Sequence, residues 1–250
     1  MLSLSPQHLQ PESARGSAAG DGPVLTPLDA YEGSLAARVY GSLRDAILSL
    51  AYAPGETLRK GEICAQLGIS RSPVAEAVTR LAAEGLVEVV PQAGTFVAHF
   101  SMAEIREGAF LREALELAAV EQVAGTITDD QLRELRRNLR VQEALVEDGD
   151  TAGFYRMDAQ MHEAILGFTG YRRIVQMAGT SWLQVNRARQ LILPNPGRIA
   201  DTLEEHRRIV EALAARDARA ARDATRAHLR QLIRYLEPLE ESHPELFGPR

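Results

Sequence analysis

The chain has 250 residues, with 28 Lys and Arg against 34 Asp and Glu for a net charge of −6, and 45% of its residues are hydrophobic. That is room for one large domain or two modest ones with a real core. No apolar run approaches the roughly 20 residues of a membrane span, and no basic segment with an apolar stretch opens the chain as a secretory signal would. A single cysteine, Cys64, rules out an intrachain disulfide and fits a reducing cytoplasm.

Residues 1–30 are rich in Ser, Pro, Gly and Ala and read as a disordered leader. Ser34 opens a helix on which Leu35, Val39, Leu43 and Ile47 share a face, and Ala53-Pro54-Gly55 stops it. Lys60–Leu67 is a short helix closed by Gly68, with Cys64 on its buried side as a small core residue. Ser70 or Ser72 caps the next helix, Ser72–Glu84, which repeats Val74, Ala77, Val78 and Leu81 at helical spacing. Leu86–Val90 and Thr95–Ala98 are β-prone runs around Pro91-Gln92-Ala93-Gly94. Residues 31–98 therefore outline a winged helix-turn-helix with a two-stranded wing. This unit contains six Lys and Arg against seven Asp and Glu, so charge alone does not point to DNA; the residue pattern does.

Beyond Ala98 the strand signals vanish. A Ser101–Glu104 capping box opens a helix to about Ala124, and further helices follow to Glu147, to Phe168, over Arg172–Leu193, over Ile199–Ala215 and over Ala218–Leu236. Six helices with short loops predict an all-α antiparallel bundle over residues 101–236, followed by a polar tail, 237–250. The fold class is mainly α.

The stretch LGISRSPVAEAVTRLAAEGLVEVVPQAGTFVA resembles the DNA-binding domain of GntR-type bacterial transcription regulators. Residues 101–235 resemble the FCD branch of that family through Arg112-Glu113-Ala114-Leu115-Glu116, Asp158-Ala159-Gln160-Met161-His162, Glu205–Leu213 and Ala227-His228-Leu229. The resemblance implies a metabolite-responsive regulator, commonly a repressor, that binds a double-stranded DNA operator as a homodimer in the cytoplasm. On this reading the candidate DNA contacts are Ser70, Arg71, Ser72 and Arg80, the wing at Gly94 and Thr95, and Lys60 as a substitute phosphate contact. Ala75 and Gly61 stand where relatives carry arginines, and Gln92-Ala93 where the wing is often basic. Gly170-Tyr171 replaces a frequent Gly-Asn pair.

One polar constellation lies on faces that should turn inward. Asp158 and His162 are one helical turn apart on the face continued by Phe154 and Ile165. His206 shares a stripe with Ile209, Val210 and Leu213, and His228 lies with Ala224 and Leu232. Each has a plain alternative: a helix ion pair for the first two, a hydrogen-bonded core residue for each other histidine. A divalent metal (zinc, nickel, manganese or iron) satisfies all four together, because imidazole and carboxylate suit these ions. The resemblance implies the same four as ligands.

Arg112, beside the apolar stripe, fits either a grip on a carboxylate effector or an internal pair with Glu116. Asn186 and Arg189 are further candidates for the cavity lining. Two competing functions remain at this level: a metal-dependent hydrolase fused to a DNA-binding domain, and an architectural DNA-binding protein with a structural bundle. The residue pattern offers no general base beside the four ligands, so an enzyme is not expected.

Overall fold

Helix α1, Leu35–Leu48, forms where the sequence places both its cap and its apolar face. Ser34 Oγ accepts from the Ala37 amide at 3.3 Å, and Val39, Leu43 and Ile47 are fully buried. In this computed structural model, residues 22–195 and 197–248 are described. Helix α2 covers Lys60–Leu67, and Gly68 ends it at φ 66°, the left-handed conformation that costs glycine least. Helix α3, Arg71–Ala83, buries Val74, Ala77, Val78 and Leu81, and Ser70 stands at its N-cap without a side-chain hydrogen bond. Strands β1, Val87–Val90, and β2, Gly94–Val97, pair antiparallel with Val87 opposite Val97 and Val90 opposite Gly94.

The leader differs from the expectation. Residues 1–21 lie outside the described ones, but 23–30 are packed rather than disordered. Leu25 is buried in the core formed by α1, α2 and α3, and Ser42 Oγ donates to the Thr26 carbonyl at 2.7 Å. Tyr31 donates to Asp45 at 2.8 Å, and its ring lies over Gly41 so closely that a Cβ there would sit 2.6 Å from it. Leu25 supplies the apolar anchor that the Ser- and Pro-rich composition conceals.

Among the described residues the chain divides into two compact units, those up to Met102 together with those from Glu240 onward, and those between Ala103 and Leu239. The second unit is all helical. Helix α4 runs Met102–Thr126, α5 Asp129–Glu147 and α6 Thr151–Phe168; α7 is Arg172–Ser181, α8 Leu183–Ile192 and α9 Arg198–Ala214; α10 is Ala218–Leu229 and α11 Gln231–Ser242. Thr128 and Gln131 form a reciprocal capping box at α5, and Asp150 caps α6 through the Gly153 amide at 2.7 Å. Helices α4, α5, α6, α9 and α10 contribute to a core that includes Val120, Leu135, Met161, Ile165, Ile209, Leu213 and Ala221.

Two of the six expected helices are divided. The fourth turns at Trp182, where ψ of 9° departs from helical geometry while the Asn186 amide still bonds the Trp182 carbonyl at 2.7 Å. The last divides at Arg230, whose guanidinium makes a two-pronged contact with Glu113 at 2.9 and 2.8 Å. The tail is not a simple polar coil either. Helix α11 continues through Pro238 to Ser242, and a 3-10 turn over Pro244–Leu246 follows. There the Phe100 amide donates to the Leu246 carbonyl at 3.0 Å and the Gly248 amide to the Phe100 carbonyl at 2.8 Å. The rings of Phe100 and Phe247 lie 5.8 Å apart, so this end of the chain completes the first unit.

Candidate metal centre and DNA-reading surface

Three helices converge four donors on one buried point. Asp158 and His162 come from α6, His206 from α9 and His228 from α10. Their ligating atoms all lie within 4.8 Å of one another, and all four residues are buried. His162 Nε2 faces His228 Nε2 at 3.1 Å, and His206 Nε2 faces Asp158 Oδ1 at 3.2 Å. Such spacings suit donors each about 2.1 Å from a shared ion.

The outer partners explain why the Nε2 atoms point inward. His162 Nδ1 contacts Glu116 Oε2 at 2.6 Å, His228 Nδ1 contacts Glu205 Oε2 at 2.7 Å, and His206 Nδ1 contacts Gln142 Oε1 at 2.7 Å. Every ring thus spends Nδ1 on an acceptor, which leaves the Nε2 lone pair for the centre. Arginines back the two carboxylates. Arg112 Nε donates to Glu116 Oε1 at 2.6 Å, and Arg198 grips Glu205 with two bonds of 2.9 Å. Arg189 pairs with Asp158 Oδ2, so the other oxygen, Oδ1, turns towards the histidines.

Electrostatics favour the protonation states that ligation requires. Burial pushes all three imidazoles below the usual histidine range, His206 and His228 far below it. Burial alone would raise the Glu116 carboxyl, but Arg112 and His162 outweigh it and hold it well below the usual range. For Glu205 burial also acts upward, and the bonds from His228 and Arg198 bring it down to about 2. Asp158 Oδ1 and His206 Nε2 have no hydrogen-bond partner among the described residues. Buried acceptors left this way are costly unless a cation takes them. The donor set therefore fits a divalent ion.

Arg112 and Glu116 do form the internal pair, and Glu116 is shared with His162. The Arg112 guanidinium carbon lies 5.2 Å from the centre of the Trp182 ring. Asn186 is half-buried, and its backbone carbonyl accepts from Tyr155 at 2.9 Å. Arg189 is buried over the Tyr155 ring. Sequence reading missed Gln142, Glu205 and Arg198. Gln142 carried a signal, since it extends the α5 stripe of Leu132, Leu135 and Leu139 with an amide where an apolar residue belongs.

On the first unit, Ser70, Arg71 and Ser72 are exposed at the start of α3, and Lys60 is half-buried at the first position of α2. Arg80 is also exposed, but it lies over Tyr40 at 3.6 Å and pairs with Glu84 at 3.4 Å. Gly94 is exposed at the wing tip. Thr95 is not available to DNA: strand alternation turns it inward to 4% exposure, and its carbonyl accepts from the Leu58 amide at 2.8 Å. The wing instead presents Val89 and Val90.

Comparison with known proteins supplies the context. Residues 35–97 match the bacterial regulatory proteins of the gntR family, and residues 107–231 match the FCD domain. An HTH-type transcriptional regulator from an unstable DNA locus of Streptomyces ambofaciens is 34% identical, over 84% of this chain and 88% of that protein. The HTH-type transcriptional repressor RspR of Escherichia coli K12 is 29% identical, over 84% and 92%. Among solved structures, a GntR regulator from Rhodococcus sp. RHA1 has a TM-score of 0.71 at 26% identity, covering 80% of this chain and 98% of that one.

Proposed function

This chain belongs to the GntR family of bacterial transcriptional regulators, in the branch that carries an FCD domain, and from that premise we propose that it is a metal-dependent, carboxylate-responsive repressor. It is a regulator and not an enzyme, as are its relatives. The observation that carries the finer reading is the inward alignment of three Nε2 atoms and Asp158 Oδ1, each with its outer face already held.

A divalent ion held by Asp158, His162, His206 and His228 would supply a Lewis-acidic centre for an oxygen of a small organic acid. Around it the chain's own residues orient and screen. Arg112 spends Nε on Glu116, which leaves its two terminal nitrogens to grip a carboxylate in a planar fork. Arg189 keeps Asp158 turned, and Tyr155 fixes the backbone at Asn186.

In the DNA-reading unit, α3 enters the major groove with Ser70, Arg71 and Ser72 leading, and the wing approaches with Gly94. Effector binding acts by favouring one arrangement of two such units over another, so it requires unequal affinity for the two. The unit is close to neutral, which favours action as a dimer; Phe110, 73% exposed on α4 beside the part-exposed Leu111, is the apolar surface we assign to the second copy. Acting on cytoplasmic DNA follows from the same reading.

The test is a thermal-shift series on full-length protein with zinc or manganese, with and without small mono- and dicarboxylates, beside operator release under the same conditions. Stabilisation and release that both disappear with chelator are expected. Operator release by an acid in the presence of chelator would overturn the metal-dependent reading. With few exposed cations, the slope of log affinity against log salt is expected to be shallow, well short of about −10.

A further inference from the structure

The three histidines are not held alike, and the exception has the more informative geometry. His162 and His228 rest on carboxylates, whereas His206 rests on an amide that belongs to a longer chain of contacts. The Met157 carbonyl accepts from Asn138 Nδ2 at 2.9 Å. Asn138 Oδ1 accepts from Gln142 Nε2 at 2.6 Å, and Gln142 Oε1 meets His206 Nδ1 at 2.7 Å. Gln142 Nε2 also points at Met161 Sδ, 3.9 Å away.

Each link fixes the next by chemistry rather than by assigned atom positions. A backbone carbonyl only accepts, so Asn138 must offer it nitrogen and turn its oxygen to Gln142. Gln142 must then offer nitrogen to Asn138, a direction that the thioether of Met161, itself only an acceptor, independently demands. What remains for His206 is an oxygen that can only accept. His206 Nδ1 therefore carries the hydrogen, and Nε2 is left as the lone pair.

We infer that Asn138 and Gln142 of α5 are positioning residues that hold His206 in its ligating tautomer, with the Met157 carbonyl as the fixed end of the relay. The relay also ties together the elements that bring the ligands. Met157 precedes Asp158 on α6, Asn138 and Gln142 are one turn apart on α5, and His206 is on α9. An amide suits this role because it accepts and donates at once, whereas a carboxylate would face the Asn138 oxygen with no proton between them. The cost of burying Gln142 completely on an apolar stripe is offset only while both its ends are bonded.

The inference rests on the metal reading, and the experiment separates the two. First, long-range proton–nitrogen spectra of metal-free, histidine-labelled protein, with His206 assigned from a His206→Gln variant, should show hydrogen on Nδ1 and a bare Nε2. Hydrogen on Nε2 overturns the relay whether or not metal binds. Second, zinc titration by calorimetry should give a ten- to hundred-fold weaker site in Gln142→Leu. Gln142→Glu, which keeps an acceptor on Nδ1 but loses the bond to Asn138, should lose less than Gln142→Leu, and Asn138→Leu should likewise fall between the natural protein and Gln142→Leu. Equal losses in the Leu and Glu variants, or zinc affinity unchanged in Gln142→Leu, overturn the positioning role while leaving the metal site standing. If the natural protein binds no zinc or manganese, the metal reading fails, and the spectra still decide the tautomer.

Discussion

The two units solve opposite problems in their interiors. The DNA-reading unit packs an apolar cluster of Val39, Leu43, Ile47, Val74, Val78 and Leu81, in which Ser42 is a rare polar member with its bond made. The helical unit buries Asp158, Glu116, three histidines and the arginines 112, 187, 189 and 198. Apolar packing yields stability directly. Buried ion pairs return little of it, because desolvation consumes most of the attraction. A core built from them is explained by what it binds. In the function proposed above, the first interior keeps a reading surface rigid and the second would be preorganised to receive ligands.

The sharpest way to break this contrast is to remove a ligand. His206→Ala should lower zinc affinity by more than about 100-fold in calorimetry, beyond the loss expected from an outer partner. Tight zinc binding by that variant would move the function elsewhere. The converse change is Leu43→Ala, which should cost about 2–5 kcal/mol in chemical denaturation of the first unit and leave zinc affinity unaltered.

A double replacement, Arg198→Met with Glu205→Leu, separates stability from binding within the second unit. Its unfolding free energy should stay level or rise by about 1–4 kcal/mol, and zinc affinity should drop about ten-fold or more as His228 loses its acceptor. A large loss of stability would mean that the bidentate pair holds the fold, and the contrast would weaken. The smallest effect is expected at Ser34→Ala, about 1 kcal/mol from the lost cap of α1, read from the same denaturation curves.

How much of this was legible beforehand depended on the range of the signal. The bounds of α2, α5 and α6 could be read because Gly68, Thr128 and Asp150 act on amides or carbonyls a few residues away. The four candidate ligands could be proposed because polar residues on apolar stripes need a common partner. Their outer partners could not, since Glu116 reaches His162 across 46 residues and Gln142 reaches His206 across 64, separations that leave no periodicity. Arg112 illustrates the middle case: pairing with Glu116 was one of two readings, and the sharing of Glu116 with His162 emerges only in three dimensions. The ordered arm was hidden by composition, because one anchoring leucine outweighs many small residues. Thr95 was misread because only the wing's register decides which strand residues face out.

The Phe100–Phe247 bridge has an engineering and evolutionary corollary. Since the described residues from Glu240 onward belong with those up to Met102, the helical unit is topologically an insertion into the DNA-reading unit. It is not a cassette appended to that unit. Exchanging it between regulators by a single crossover would graft a foreign terminus onto Phe100, which is fully buried against Phe247. Recombination that preserves both parts needs two junctions, one near Met102 and one near Leu239.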